Sequence, residues 1–526
     1  MVQVQQRLLI TLLFTATVWA AKFYPDDPLL EAPPPVRVAS AQPRRASGSY
    51  DYLLNTFRPP AISPEEIPPS APVNTMGEVF EPAWYEHRHS ARRMTAGELV
   101  RGAGNQPPSP DAPWDVIAPK VEGVTPGFVI RDGSGREYLL KFDSQNHPEM
   151  ASAAEVIGSK FFYALGYHTP ENTIVRFRRE QIRPGGTTLV DDPGGRRRPM
   201  TEADLNRVLL RCWKDRDGRY RAVASRLIDG KRLGPFQFSG TRADDPNDIV
   251  PHERRRELRG LFLMSAWLGH WDIRPVNTVD SLVDEGRLRY IKHFLIDFGA
   301  TLGSGTIGPK SPRAGHAPMF RFRNAAMHTL TLGFSIEPWM RIRYPDLPGV
   351  GRFDAESFDP ATWEPAHTNA AFASRLPADD FWAVRRILAF RDDEIAALVR
   401  TGEFSDSRAA DWLTECLIER RDRIGRYVFE QSLPLDEFRV EGGRLRFTDL
   451  AVRHGFAPER AYEISWTVFD NERGIKAPLP GERTAAVPSV RTRFLAAAIL
   501  DSGQGEPLTV YLRRRAGRWE PVGVER

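Results

Sequence analysis

Cysteine is scarce in this chain: Cys212 and Cys416 are the two among its 526 residues. They allow at most one disulfide. Two separate buried thiols are the alternative, because Cys416 shares a helical stripe with Leu413, Leu417 and other apolar residues. An excess of charge of one sign is also lacking, since the formal net charge is +4. A net charge this small, together with short and scattered arginine runs, does not indicate a nucleic-acid partner.

Long hydrophobic runs are missing after the N-terminal segment, so no later part of the chain is expected to span a membrane. The segment itself is short. Arg7 precedes an apolar run from Leu8 to Ala21 that ends in small residues, which is typical of a secretory signal peptide over residues 1–21. As a helix the run would measure roughly 21 Å, less than the ~30 Å hydrocarbon core. We therefore expect an exported protein, periplasmic or secreted, and an anchor formed by residues 8–21 is the less favoured alternative.

Proline is concentrated in residues 22–114, which predicts an extended arm without a core of its own. The arm carries Trp84, Tyr85 and Trp114, large side chains that need a surface to cover. We therefore expect it to wrap the folded part of the chain.

The rest of the sequence divides by its periodicity into three parts. Residues 115–230 read as strands with one helix, and hold a polar insertion at 178–218 with one short helix. The strands Phe128–Ile130 and Tyr138–Phe142 are joined by a turn that begins at Asp132, and a helix is predicted from about Pro148 to Leu165. Residues 231–434 read as a helical body, and residues 435–526 as a small unit of strands. The order predicts an α+β fold.

One run in the helical body has the residues that phosphoryl transfer needs. It is His270-Trp271-Asp272-Ile273-Arg274-Pro275-Val276-Asn277. Asp272 can accept the proton of an acceptor hydroxyl, and Arg274 can stabilise charge on the phosphate. Asn277 offers an amide oxygen to Mg²⁺, and Asp297, at the end of the apolar strand Phe294–Ile296, offers a carboxylate.

Two further parts of a phosphate site precede that run. Lys141 ends a strand and Glu155 follows on the next helix, so the carboxylate can fix a lysine that bridges phosphates. The segment Glu122–Phe128 contains Gly123 and Gly127, whose lack of a side chain permits close approach of the backbone to phosphate.

Taken together, Lys141, Glu155, the run from His270 to Asn277, and Asp297-Phe298-Gly299 resemble the protein-kinase signature set. The resemblance covers roughly residues 115–430. It is best to the atypical branch of the superfamily: phosphatidylinositol 3-/4-kinases, bacterial persistence-toxin Ser/Thr kinases and secretory-pathway kinases. It implies a two-lobed kinase-like fold, a β-rich N-lobe and a helical C-lobe, together with ATP and Mg²⁺ or Mn²⁺ as cofactors.

Carried over by position, the resemblance makes Lys141 and Glu155 the ion pair and Asp272 the base. Asn277 and Asp297 become the metal ligands. The departures from the family pattern are also informative. Trp271 stands where an arginine is usual, a hairpin around Asp284–Gly286 lengthens the spacing between the metal ligands, and no Ala-Pro-Glu element follows.

The sequence therefore predicts an ATP-dependent phosphotransferase acting on a hydroxyl of a protein, lipid or small molecule. Two alternatives stay open: an exported interaction or scaffold protein built on a kinase-like fold that has lost its chemistry, and a nucleotidyl transferase on the same fold.

Overall fold

The structure is a computed structural model that describes most of the chain. The described residues are 21–45, 47, 64–120, 125–192, 194–317, 338–481, 483–501 and 507–526. The predicted signal segment lies outside them except for Ala21, and Gly123 of the predicted phosphate loop also lies outside them. None of the helices in these ranges combines the length and the apolarity that crossing a bilayer requires.

A mixed sheet forms the first part of the fold. In spatial order its described strands are β4 (Asn172–Phe177), β8 (Tyr220–Arg226), β3 (Glu137–Phe142), β2 (Gly127–Arg131), β1 (Trp114–Pro119) and β5 (Ile182–Pro184). The predicted β2–β3 hairpin is confirmed. Its turn is held by the Asp132 carboxylate, which accepts hydrogen bonds from the backbone N–H groups of Ser134 and Arg136. Trp114, predicted to lie in the arm, begins β1 instead.

One long helix lies on this sheet, as predicted. It spans Met150–Leu165 and is buried at all but one of its positions, because other elements cover it on every side. It ends at Gly166, whose φ of 118° suits glycine. A Cβ there would lie 2.3 Å from the Tyr85 ring, so the arm and the helix end require a glycine at this position. In chain order this helix is α2, because the arm contains α1 (Ala96–Arg101).

The insertion between β4 and β8 is more structured than predicted. It contains the expected short helix α3 (Glu202–Leu209), which a reciprocal capping box between Thr201 and Asp204 begins. It also contains the strands β5, β6 (Leu189–Asp191) and β7 (Arg197–Pro199). Three-residue strands are too short to show a period of two, so their pattern could not be read from the sequence.

The helical body contains a three-stranded sheet of β9 (Lys231–Gly234), β10 (Thr278–Glu285) and β11 (Leu288–Leu295). The extra hairpin predicted near Asp284–Gly286 is the β10–β11 turn. The described helices are α4 (Arg256–Leu268), α5 (Ala370–Ala373), α6 (Pro377–Ile387), α7 (Asp392–Arg400) and α8 (Ser407–Gln431).

The periodicity of the sequence predicts a helix over Phe381–Arg400, and this prediction is wrong because the chain breaks between α6 and α7. The backbone N–H of Arg391 donates to the Glu394 carboxylate, which starts a new helix with three acidic residues in its first turn. Acidic side chains are favourable at that end of a helix. The carbonyl of Ala389 in the break accepts hydrogen bonds from His89 and Arg93 of the arm.

The C-terminal part is the predicted β unit. A five-stranded sheet is ordered β15 (Ile475–Pro478), β14 (Tyr462–Asp470), β16 (Phe494–Asp501), β17 (Leu508–Arg515) and β18 (Arg518–Glu525). The hairpin of β12 (Leu435–Glu441) and β13 (Arg444–Asp449) and the short helix α9 (Leu450–Arg453) were not predicted from the sequence.

The arm packs against the molecule along its described length. Trp84 and Tyr85 are 4% and 2% exposed and belong to the main hydrophobic core. Phe23 is buried against the C-terminal sheet. The arm is not wholly extended, because it contains the helix α1, which begins with a capping box between Thr95 and Glu98.

Both cysteines are buried and do not form a disulfide with each other. The structure therefore shows two separate buried thiols, the second of the two alternatives.

Candidate active site

Three predicted residues meet at one point between the sheet and the helical body. Lys141, on β3, places its Nζ 2.9 Å from Glu155 Oε2 and 2.8 Å from Asp297 Oδ1. Burial by itself would lower the pKa of Lys141, but the two carboxylates raise it overall. The positive charge of Lys141 in turn lowers the pKa of Asp297. The lysine is therefore a fixed cation between two anions.

Glu155 is held by more than the lysine. The backbone N–H of Gly299 donates to Glu155 Oε2 at 2.8 Å, and the Asn172 amide lies 3.5 Å from Oε1. The Ser225 hydroxyl donates to Asn172 Oδ1 and orients that amide. A Cβ at position 299 would come within 3.0 Å of Glu155 Oε2. Glycine after Phe298 therefore lets the backbone reach the carboxylate.

Asp297 is presented at the mouth of β11 by an uncommon backbone conformation. Its φ of 63° and ψ of 61° lie in the left-handed region, which aspartate tolerates better than most residues. The next side chain, Phe298, is fully buried and stacks on Phe162 of α2 with ring centres 5.2 Å apart. The packing of Phe298 thus fixes the turn, while the Asp297 side chain stays 44% exposed.

His270 completes this packing. It is buried, and its ring lies 5.7 Å from Phe162 and 6.0 Å from Phe298. Burial lowers the pKa of His270 to about 3, so the ring is neutral at physiological pH. The residue thus packs as a neutral ring at the start of the predicted catalytic loop, residues 270–277.

The loop after His270 brings together the predicted base, Asp272, and one predicted metal ligand, Asn277. Asn277 Nδ2 donates to the Asp272 carbonyl at 2.6 Å and lies 3.3 Å from Asp272 Oδ2. Arg274 is paired with the same carboxylate, with Nε 2.9 Å from Oδ1. The guanidinium predicted to contact phosphate is thus bound to Asp272 in this conformation.

The two predicted metal ligands lie on neighbouring segments. The backbone N–H of Ile296 donates to the carbonyl of Asn277 at 3.0 Å, beside the pair formed by Thr278 of β10 and Leu295 of β11. Asn277 uses its amide nitrogen on Asp272, so its oxygen is the atom left for a cation. An amide oxygen and a half-exposed carboxylate are hard donors, which suit Mg²⁺ or Mn²⁺.

The structure describes part of the predicted phosphate-binding segment Glu122–Phe128. Gly127 is the first residue of β2 and pairs with Lys141, and a Cβ there would lie 2.3 Å from the Leu140 carbonyl oxygen. Close packing of the two strands therefore requires this glycine whether or not phosphate binds. A small cavity of about 10 Å³ lies between Lys141, Glu155 and Asp297, with room for about one water.

Sequence reasoning missed several supports of the site. Asn172 and the Gly299 backbone hold Glu155, and Lys310 donates from its Nζ to the carbonyl of Gly269 at 2.5 Å, directly before the catalytic loop. Lys310 lies among glycines, serines and prolines after Asp297 and belongs to no periodic pattern, so no signal in the sequence identified it.

Comparison with known proteins gives structural likenesses alone. The chain matches no protein-family model and no curated protein. Among solved structures it is similar to the proinflammatory kinase CtkA of Helicobacter pylori, with 12% identity, a TM-score of 0.31, and coverage of 60% of this chain and 95% of that one. It is also similar to hydra Fam20 with sugar, with 10% identity, a TM-score of 0.32, and coverage of 64% and 96%.

A third likeness is to the Golgi casein kinase with Mn/ADP bound, with 8% identity, a TM-score of 0.29, and coverage of 75% of this chain and 93% of that one. These are atypical kinases, the branch that the sequence motifs resemble. TM-scores near 0.3 are too low to transfer a fold or an activity. A function for this chain therefore has to be argued from the geometry of the site.

Proposed function

We propose that this protein is an exported, kinase-like phosphotransferase that moves the γ-phosphoryl group of ATP to a hydroxyl acceptor. The observation that carries the proposal is the position of Lys141 Nζ, within 3 Å of both Glu155 and Asp297. Phosphoryl transfer needs little covalent chemistry from a protein. It depends on fixed charges around the phosphates and on a carboxylate at the acceptor.

Each residue then has a distinct task. Lys141, kept in place by Glu155, binds phosphate oxygens. Asp272 accepts the proton of the acceptor hydroxyl, and Arg274 leaves its pairing with Asp272 to stabilise charge on the transferred group. Asn277 and Asp297 would hold Mg²⁺ or Mn²⁺, which supplies charge neutralisation at the phosphates when bound.

The test uses the full chain with radiolabelled ATP and either Mg²⁺ or Mn²⁺. Labelling of the protein itself and release of ADP are both measured, because the acceptor is not identified. Asp272→Asn should lower the rate by about 100- to 10,000-fold, as loss of a general base does. Asp297→Ala and Lys141→Met should abolish labelling, and Lys476→Met, which removes an exposed lysine of the C-terminal sheet, should leave it unchanged.

Equal labelling by the wild type, Asp272→Asn and Asp297→Ala would refute the proposal. Circular dichroism of each variant checks that the fold persists, so that lost labelling is not lost structure.

One observation favours a second candidate function, an exported scaffold protein. The cavity beside Lys141 is small, and the lysine is already paired with the carboxylate that would hold the metal. A thermal-shift titration with Mg²⁺–ATP separates the two functions. Binding raises the melting temperature by mass action, whereas no shift at millimolar nucleotide would favour the scaffold. Mass spectrometry of a labelled product would tell phosphoryl from nucleotidyl transfer.

A further inference from the structure

A second cavity lies beside the predicted catalytic loop and shares no lining residue with the cavity at Lys141. Its volume is about 40 Å³, which is enough for about three water molecules or one small anion. Its walls come from the loop residues Gly269 and Trp271, from the segment after Asp297, and from α8. Three basic side chains, Lys310, Arg352 and Arg420, take part in the lining.

None of these three cations forms an ion pair in the part of the chain that the structure describes. Arg420 donates to the carbonyls of Ala266 and Trp267 at 2.5 and 3.0 Å and to that of Asp354 at 3.0 Å. Lys310 donates to the Gly269 carbonyl, and Arg352 to the Lys310 carbonyl. Burial lowers the pKa of Lys310 to about 7 and that of Arg420 to about 10, because the nearby carboxylates of Asp272 and Asp354 offset only part of the lost solvation.

Capping of α4 explains only part of this arrangement. Arg420 and Lys310 do satisfy carbonyls at the C-terminal end of that helix, where cations are favourable. An arginine has five N–H donors and a lysine has three. The hydrogen bonds above therefore leave donors on all three side chains.

A further donor on the cavity wall has no acceptor. The indole Nε1–H of Trp271 is buried and makes no hydrogen bond to any described residue. A buried donor without a partner costs free energy, and such groups in a folded protein call for a ligand or a bound water.

The two carboxylates on the wall, Asp354 and Asp359, are hydrogen-bonded to neighbours in their own loops rather than to the three basic side chains. Asp354 accepts hydrogen bonds from the backbone N–H and the hydroxyl of Ser357. Asp359 accepts from the Ala361 N–H and the Thr362 hydroxyl. The donors of the cavity are thus left to an external acceptor.

We propose that this cavity binds a phosphate-class dianion, either free phosphate or the phosphate of a phosphomonoester, between Lys310, Arg352 and Arg420. Such an anion would accept the N–H of Trp271, the residue directly before Asp272, and so brace the base of the catalytic loop. The site is separate from the predicted nucleotide site and does not depend on the chain being a phosphotransferase.

The test is calorimetric titration of the full chain with inorganic phosphate at constant ionic strength and without nucleotide. Wild type should bind. Arg352→Met should bind about tenfold more weakly or not at all, since a charge-assisted hydrogen bond is lost. Arg352 is exposed, and among the described residues its side chain is bonded only to a backbone carbonyl, so its replacement should leave the fold intact. Trp271→Phe, which removes only the ring N–H and part of the ring, should also weaken binding.

Two controls locate the phosphate. Arg515→Met removes an exposed arginine of the C-terminal sheet and should bind phosphate as the wild type does. Lys141→Met should also bind as the wild type does. Binding that survives in Arg352→Met and Trp271→Phe but is lost in Lys141→Met would place phosphate in the nucleotide site and overturn the proposal. Absence of binding to the wild type at tens of millimolar phosphate would overturn it as well, and would leave Lys310 and Arg420 as helix caps.

A displacement experiment then identifies the source of the anion. A phosphoserine peptide that displaces phosphate, where its unphosphorylated form does not, supports the site with a phosphorylated side chain as ligand. Binding of free phosphate without displacement supports the site with a small-molecule ligand. Neither result depends on labelling by ATP, so failure of the proposed function and failure of this site are distinguishable.

Discussion

Among single residues, Glu257 shows how burial sets ionisation in this molecule. Its carboxyl lies at the start of α4, within 3.2 Å of Arg255, and is fully buried. Burial raises the pKa of Glu257 to about 7, against the opposing effect of Arg255, and the nearby Glu81 adds to the rise. Within the described part of the chain its Oε2 has no hydrogen-bond partner, which fits a carboxyl that is easily protonated.

The raised pKa predicts a pH dependence with a definite sign. Between about pH 4.5 and pH 7 the folded state keeps the proton of Glu257 while the unfolded state has lost it. Stability from this group therefore falls as pH rises through that window. Glu257→Gln keeps a neutral side chain at every pH. We expect its free energy of unfolding, relative to wild type, to be higher at pH 8 than at pH 5.

Urea unfolding of both proteins at the two pH values measures this difference. Arg255 remains paired with Glu81 and Asp248 in the variant, so the arginine is not left without a carboxylate. A difference between variant and wild type that is the same at both pH values would contradict the prediction.

Among elements, α2 is the one whose position the site depends on, because it carries Glu155. Its N-terminus is tied to the segment between α7 and α8. Glu149 accepts the backbone N–H and hydroxyl of Ser405 at 2.9 and 3.1 Å. Arg221 of β8 donates to Ser152 at 2.8 Å and to the carbonyls of Gly402 and Glu403 at 2.5 and 2.7 Å. These bonds join the sheet, the helix and the helical body, so α2 cannot move without breaking them.

A buried ion pair among these contacts, between Arg221 and Asp143, gives a second prediction. Arg221 Nε lies 3.3 Å from Asp143 Oδ2, and both side chains are almost fully buried. Arg221→Met leaves the Asp143 charge buried and unpaired, and should lower the free energy of unfolding by about 3 kcal/mol or more. Chemical denaturation measures the change, and circular dichroism checks that the variant is folded.

The double variant Asp143→Asn/Arg221→Met should be more stable than Arg221→Met, because the unpaired charge is gone. Arg176→Met serves as the matched control, since Arg176 pairs with Glu403 at the surface and should cost at most about 1 kcal/mol. If Arg176→Met lowered the free energy of unfolding as much as Arg221→Met does, the buried Arg221–Asp143 ion pair would have no special role in stability.

At the scale of the whole molecule, the arm is part of the folded structure. Trp84 stacks on His293 of β11 with ring centres 3.5 Å apart, and the Arg255 guanidinium lies 4.3 Å from its ring. Phe23 packs on Phe494 and Tyr511 of the C-terminal sheet. The arm thus contacts both the part of the chain that contains the helical body and the C-terminal unit, and contributes to the cores of both.

Trp84 should therefore behave as a core residue, although it lies in a proline-rich segment. Trp84→Ala should lower the free energy of unfolding by about 3–5 kcal/mol, the usual cost of removing a buried aromatic side chain. Leu30→Ala, at a position of the same arm that is 76% exposed, should change it by no more than about 0.5 kcal/mol. Urea unfolding compares the two, and equal small effects would mean that the arm does not stabilise the fold.

The sequence by itself determined the local elements of this protein. The β2–β3 hairpin and the start of α8 at Asp406 follow from side chains that bond within a few residues of themselves. The end of α2 at Gly166 and the β10–β11 turn at Gly286 follow from glycines with positive φ. Such features depend on short stretches of chain, so a local pattern predicts them. The order of Lys141, Glu155, Asp272 and Asp297 was likewise visible as a pattern.

Only the tertiary structure decided how these residues meet and what supports them. Lys141 and Asp297 are 156 positions apart, and their contact exists because β3, α2 and β11 pack together. The break between α6 and α7 coincides with contacts from His89 and Arg93 of the arm, more than 290 positions away in sequence. The cations beneath the catalytic loop come from three separate segments. Contacts of this kind depend on the packing of distant surfaces, which periodicity and turn signals along the chain do not encode.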